Sequence, residues 1–257
     1  MSGDSSAKPA HGSMPRAERH GSPARPPRRL RIGGLTPLSS TDYPGQLAAV
    51  VFCQGCPWRC GYCHNPHLLP ARGAVEIAWD DVLAFLRRRE GLLDAVVFSG
   101  GEPLSQVGLA EALRTVRSRR FRVGLHTGGG YPERLAEVLP ILDWVGFDIK
   151  APFTEYASVT GVPGSGEKAR ASARLVVESG VAHEFRTTVH PELLTAAALG
   201  RLAEQVTDLG ARNYVLQEFR ARGCASAPLA RPTASYLTAS FCAGLASKFE
   251  SFALRRA

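Results

Sequence analysis

The sequence predicts an α/β fold, a partial (βα)6 barrel, and three observations carry that expectation. From about residue 47 onward, six short apolar runs alternate with amphipathic stretches. Within those stretches the apolar residues recur at i, i+3, i+4 and i+7, the spacing of one helix face. Along the later runs one strand face is apolar and the other polar, a pattern that suits a lumen better than a sheet covered by helices on both sides.

The chain of 257 residues is 44% hydrophobic, enough for a substantial core, and one large domain is its simplest organisation. Residues 1–31 stand apart. They are rich in Pro, Gly, Ser and Arg, and they hold seven Lys or Arg against two acidic residues. Such a composition cannot bury enough surface to offset its ordering entropy. It is expected to form a disordered basic tail ahead of a domain over residues 32–257. Pro9, Pro15, Pro23, Pro26 and Pro27 forbid an amphipathic transit helix, no apolar run supports a secretory signal, and Met14 offers an alternative start. The tail also accounts for most of the formal charge of +8. The remainder is nearly neutral and lacks a basic patch interleaved with aromatic residues, which argues against nucleic acid as a partner. No run approaches the roughly 18 apolar residues of a membrane span, so the expectation is a cytoplasmic protein without membrane contact.

The expected strands cover residues 47–52, 95–98, 121–125, 144–149, 184–189 and 214–217. The first helix is marked by Trp79, Val82, Leu83 and Leu86, and the next by Leu109, Ala112, Leu113 and Val116. Later helices are marked by Leu199, Leu202 and Val206, then by Leu237, Phe241 and Leu245. Consecutive βα units imply a parallel sheet, with ligands gathered beyond the carboxyl ends of its strands. In the fourth strand Val145, Phe147 and Ile149 oppose Trp144, Gly146, Asp148 and Lys150. In the fifth, Phe185, Thr187 and Val189 oppose Glu184, Arg186 and Thr188. A polar face on each favours a curled, incomplete barrel holding a charged ligand over an open, doubly wound sheet.

Four of the six cysteines fall within eleven residues, as Cys53-x2-Cys56-x3-Cys60-x2-Cys63. Bunched thiols in a chain of this size point to a metal and not to a disulfide scaffold. The inner spacing is too tight for two zinc knuckles, and the order does not match a bacterial ferredoxin run. Reading from Cys56 leaves three thiolates on one loop just past the first strand. Cys53, at the strand's last position, points to the outer wall and takes no ligand role. Cys224 and Cys242 are isolated and read as small buried hydrophobes.

Cys56-x3-Cys60-x-Tyr62-Cys63 resembles the cluster loop of the radical S-adenosylmethionine (SAM) enzymes. The resemblance extends over nearly the whole chain from Ile32 and implies a partial barrel of the radical SAM type. It also implies a [4Fe-4S] cluster held by Cys56, Cys60 and Cys63, with SAM on the fourth iron. Ser99-Gly100-Gly101-Glu102-Pro103 matches the motif that meets the SAM amino group, while Tyr62 and His64 would pack on the adenine. Cys63-His64-Asn65 and Asp148-Ile149-Lys150 look like the glycyl-radical-enzyme activases. Ile32-Gly33-Gly34-Leu35 and Asp42-Tyr43-Pro44-Gly45 look like the activating proteins of anaerobic ribonucleoside-triphosphate reductase. On that resemblance Asp148, Lys150 and Arg186 contact SAM, Arg186 being open to a role on the substrate backbone, and Asp42 touches an incoming peptide.

The implied activity is reductive cleavage of SAM and transfer of a radical to a glycine of a partner enzyme, with flavodoxin or ferredoxin as electron donor. The cofactor carries the hard chemistry, so no protein acid, base or nucleophile is demanded and none is assigned. The alternatives are a radical SAM enzyme acting on a small molecule and a closed, non-catalytic metal module. Two departures stand out. His126-Thr127-Gly128-Gly129 replaces an Asp-Thr-Asn-Gly-like strand end, which puts a monovalent cation beside SAM in question and leaves His126 as a candidate contact. Gln217-Glu218-Phe219-Arg220 lacks the His of the pyruvate formate-lyase type.

Overall fold

The computed structural model describes residue 1 and residues 30–224, 226–229 and 235–256. The tail expected over residues 1–31 lies almost wholly outside the described residues. Its last two residues belong to the packed domain: Leu30 is buried, and the Arg31 carbonyl accepts the Gln54 N–H at 3.0 Å.

The elements run β1 (Ile32–Ser39), β2 (Ala48–Cys53), α1 (Trp79–Arg87), β3 (Ala95–Gly100), α2 (Leu109–Ser118), β4 (Arg122–Thr127), α3 (Pro132–Val138) and β5 (Trp144–Asp148). They continue through α4 (Tyr156–Thr160), α5 (Ser165–Ser179), β6 (Ala182–Val189), α6 (Ala196–Asp208), β7 (Asn213–Glu218), α7 (Ala239–Ala246) and β8 (Ser251–Arg255). The eight strands among the described residues form one sheet in chain order. β1 is antiparallel to β2, every later pair is parallel, and among the described residues β1 and β8 do not pair with each other. The sheet is therefore a partial barrel.

The six expected strands are β2 to β7, and the structure adds one at each edge. β1 was hidden by its composition, because two glycines and a proline disfavour a central strand. An edge strand has one unpaired side and tolerates them. β8, at the other edge, pairs among the described strands with β7 alone. Leu237 is not part of the last helix. Thr238 caps α7 by accepting the Phe241 N–H at 3.2 Å, worth about 1 kcal/mol, so Leu237 packs just ahead of it.

The two strand faces bury different cores. Val51, Cys53, Val96, Phe98, Val123, Leu125, Val145, Phe147 and Phe185 face the helices and join Leu86, Leu113, Leu135, Ala173 and Leu202 in the main core. The inner face of β2 to β5 buries a smaller cluster of Ala48, Val50, Ala95, Val97 and Trp144, plugged by Tyr43, whose ring stacks on Trp144 at 5.0 Å. This apolar plug fills the amino end of the lumen, leaving polar groups to line the carboxyl end. Among the described residues no helix is long and apolar enough to cross a membrane.

Candidate functional site

The loop after β2 is closed at its base. Gly55 N–H reaches Leu68 O at 2.8 Å, Cys56 N–H reaches Leu69 O at 3.2 Å, and Gln54 Nε2 donates to His67 O and Pro70 O. Farther out, Arg59 N–H and Gly61 N–H donate to Thr160 O and Val159 O at the end of α4. The Arg59 guanidinium turns back to donate to Cys56 O and Trp58 O, both at 2.8 Å. Trp58 is the anchor. It is 4% exposed, lies edge-on to Tyr156, and packs so tightly on Gly128 that a Cβ there would meet its ring at 2.2 Å.

Cys56, Cys60 and Cys63 all line one cavity, with Tyr62 and His64 on the same loop. Burial pushes the Cys56 thiol up to about 12 and raises that of Cys60. Cys53 lies outside this cavity, fully buried on the helix-facing side of the sheet. Cys224 is half-buried, not fully, and its Sγ faces Gly61 O at 3.7 Å. Cys242 is buried in the main core.

The opposite wall is the end of β3. Gly100 has φ +118°, and a Cβ on Gly101 would meet Gly55 O at 2.4 Å, so the paired glycines let the β2 and β3 ends close on each other. Glu102 N–H accordingly reaches Gly55 O at 2.9 Å. The Glu102 carboxylate is 2% exposed and turned inward, where it accepts from Thr127 Oγ1 at 2.8 Å, Gly128 N at 3.0 Å and Leu104 N at 3.1 Å. Burial raises its pKa although those three hydrogen bonds oppose the rise. Glu102 thus ties the β3 end to the β4 end, a structural task that the sequence reading did not assign to it. Trp58, Thr127 and Gly128 are further cavity residues which that reading left without a role; the small residues ending β4 were the signal for the last two.

Asp148 and Lys150, at the end of β5, and His126 on β4 complete the cavity. The Lys150 ammonium lies 5.8 Å from both the Trp58 and Tyr62 ring centroids. Burial works against its charge, but Tyr62, Cys60 and Asp148 together hold its pKa well above the ordinary value. The pKa of the half-buried Asp148 is lowered although desolvation opposes the shift, mainly by Arg186, whose Nε donates to Oδ1 at 2.9 Å. The buried Arg186 brings its Nη1 within 3.1 Å of His126 Nε2, the same nitrogen that lies 2.8 Å from Asp42 O. His126 is neutral: burial first, then Arg186, pulls its pKa down to about 3. Asp42 and Arg186 line an adjoining cavity that shares His64 and Thr188 with the first.

Residues 50–196 match the Radical SAM superfamily. A protein of Methanocaldococcus jannaschii, provisionally named a glycyl-radical enzyme activating enzyme, is 31% identical over 73% of this chain and 79% of its own length. The chain belongs to the radical SAM superfamily. It is also 34% identical to the pyruvate formate-lyase-activating enzyme of Clostridium pasteurianum, over 51% of this chain and 57% of that enzyme. The chain thus spans little more than half the length of that relative. Among solved structures, Streptococcus suis SuiB bound to S-adenosylmethionine aligns with a TM-score of 0.58 at 12% identity, covering 79% of this chain and 48% of that one, a likeness of fold.

Radical SAM enzymes use a [4Fe-4S] cluster and SAM, and the cavity fits them on two observations. Three thiols of one loop, Cys56, Cys60 and Cys63, line it together, a donor set suited to a cluster in which each thiolate binds a different iron. In the same wall the Tyr62 hydroxyl is buried without a hydrogen-bond partner among the described residues, a costly state that a bound group would relieve.

Proposed function

We propose that this enzyme activates a glycyl-radical enzyme, and that its partner is an anaerobic ribonucleoside-triphosphate reductase. The observation that carries the activase reading is access. The cysteine-lined cavity adjoins a second, polar cavity at the unpaired edges of the sheet, where a loop of another protein can reach the lumen. The named relatives support the same reading. The finer choice of partner rests on Ile32-Gly33-Gly34-Leu35 and Asp42-Tyr43-Pro44-Gly45.

In this reading Cys56, Cys60 and Cys63 hold the cluster. When bound, the cluster and SAM supply one-electron reductive cleavage and a carbon radical able to take a hydrogen atom from glycine. The chain's own residues bind, orient and exclude water. Gly100 and Gly101 offer backbone groups to SAM, and Asp148, Lys150, Tyr62 and His64 complete its pocket. The Trp58 and Tyr62 rings flank the Lys150 ammonium. Arg186 sets Asp148, and Glu102 acts through the β3 and β4 ends it joins. The donor is flavodoxin or ferredoxin, and the setting is the cytoplasm.

The deciding experiment is electron paramagnetic resonance of the anaerobically reconstituted, dithionite-reduced protein, with and without SAM, in wild type and Cys53→Ser. A cluster signal that shifts on adding SAM and survives the Cys53 change is expected. Incubation with the partner should then leave a stable glycyl radical. A spectrum indifferent to SAM, or lost with Cys53, would mean a closed four-thiolate site. A SAM-responsive cluster that never produces a protein radical would point to a small-molecule substrate.

A further inference from the structure

The second cavity occupies the gap left because β1 and β8 do not pair. One wall is the loop after β1, with Thr41 and Asp42, and the other is the inner face of β6 to β8. Register places Thr188, Gln217 and Arg255 side by side across those three strands. An extended chain crossing this row meets a hydroxyl, an amide and a guanidinium, which can serve its peptide groups whatever its sequence. A charged side chain without an internal partner would read sequence.

The cations of the slot divide on that test. Arg186 is matched by Asp148 at 2.9 Å, and Arg255 Nη2 by both Glu184 oxygens at 3.0 and 3.2 Å. Arg220 differs: it is exposed, and among the described residues no carboxylate lies within ion-pair distance of its guanidinium. Its backbone is nevertheless fixed beside the cysteine loop. His64 Nε2 donates to Arg220 O at 2.8 Å, and the neighbouring Phe219 ring stacks on His64 at 5.3 Å. On the facing wall Asp42 keeps 35% of its side chain exposed. Glu218, which also lines the slot on β7, is held by Arg256 Nη1 at 2.5 Å and Ser235 Oγ at 3.0 Å, so the exposed charges of the slot are a cation, Arg220, at the β7 side and an anion, Asp42, at the β1 side.

We infer that this slot takes an extended, glycine-bearing segment of the partner protein that carries a carboxylate side chain, and that Arg220 pairs with it. The inference rests on the activase reading and adds a chemical requirement to its substrate. Asp42 would repel the same carboxylate, so one orientation of the segment is favoured over its reverse.

The test uses rhodamine-labelled nonapeptides with a central glycine, uncharged except for one Asp, Asn or Lys at each flanking position in turn. They are titrated anaerobically with the reconstituted full chain plus SAM, and fluorescence anisotropy is read. At one or two positions the Asp peptide should bind about threefold to fivefold more tightly than its Asn twin, the range of a partly exposed ion pair, and the gap should narrow with salt. Arg220→Gln should erase the gap, and Arg220→Glu should turn the preference toward Lys. No preference for Asp, a preference that survives Arg220→Gln, or no peptide binding would overturn the inference. Arg220-dependent binding without a glycyl radical on any partner would sink the activase reading alone. A radical formed on a partner with no Arg220-dependent preference would sink the slot alone.

Discussion

Acid should destabilise this fold through one buried ring. His126 is neutral in the folded state because burial and the Arg186 guanidinium hold its pKa down at about 3. In an unfolded chain a histidine of pKa about 6.5 goes from about one-tenth protonated at pH 7.5 to about nine-tenths at pH 5.5. The unfolded state therefore binds more protons over this window, so stability falls as pH falls. Linkage puts the loss due to His126 at about 1.4 kcal/mol between those two pH values. Any folded pKa below about 4.5 gives the same figure, because the folded ring then takes up almost no proton in the window. The assay is urea unfolding at pH 5.5, 6.5 and 7.5 under reducing, anaerobic conditions, comparing wild type with His126→Gln. Glutamine can still donate to Asp42 O but does not titrate, so the variant's slope should be shallower by about that amount whatever its absolute stability. Equal slopes, or a His126 resonance that titrates near the ordinary value, would refute the reasoning.

Two further outcomes follow from the packing around the cysteine loop. Glu102→Ala strands two buried N–H groups and a hydroxyl, so a loss of about 3–5 kcal/mol is expected in the urea midpoint, while Glu102→Gln, which still accepts at one oxygen, should lose about 1–3 kcal/mol. Gly128→Ala drives a methyl into the Trp58 ring, so iron bound per chain should fall while the far-ultraviolet circular dichroism stays that of wild type; full iron loading would show that Trp58 does not anchor the loop.

The sequence by itself determined six of the strands, the helix faces and the residues that gather at the carboxyl end of the sheet. Strand alternation has a period of two, so Asp148 and Arg186 had to share the inner face, as they do, while Cys53, at the end of β2, could be assigned to the outer one. The resemblance of the loop to the radical SAM cluster motif separated Cys56, Cys60 and Cys63 from the fourth thiol of the run, and the three line one cavity. The tertiary structure decided what depends on approach between distant segments. Edge strand β1 forms because β2 offers it backbone partners, against a composition that would not make it a strand alone. The inward turn of Glu102 depends on Thr127 and Gly128, 25 and 26 residues away. His126 becomes a neutral wedge only because Asp42 and Arg186, 84 and 60 residues distant, close on it. Local periodicity encodes which face a side chain takes, but the charge state and partners of a buried group are set by whatever the fold brings against it.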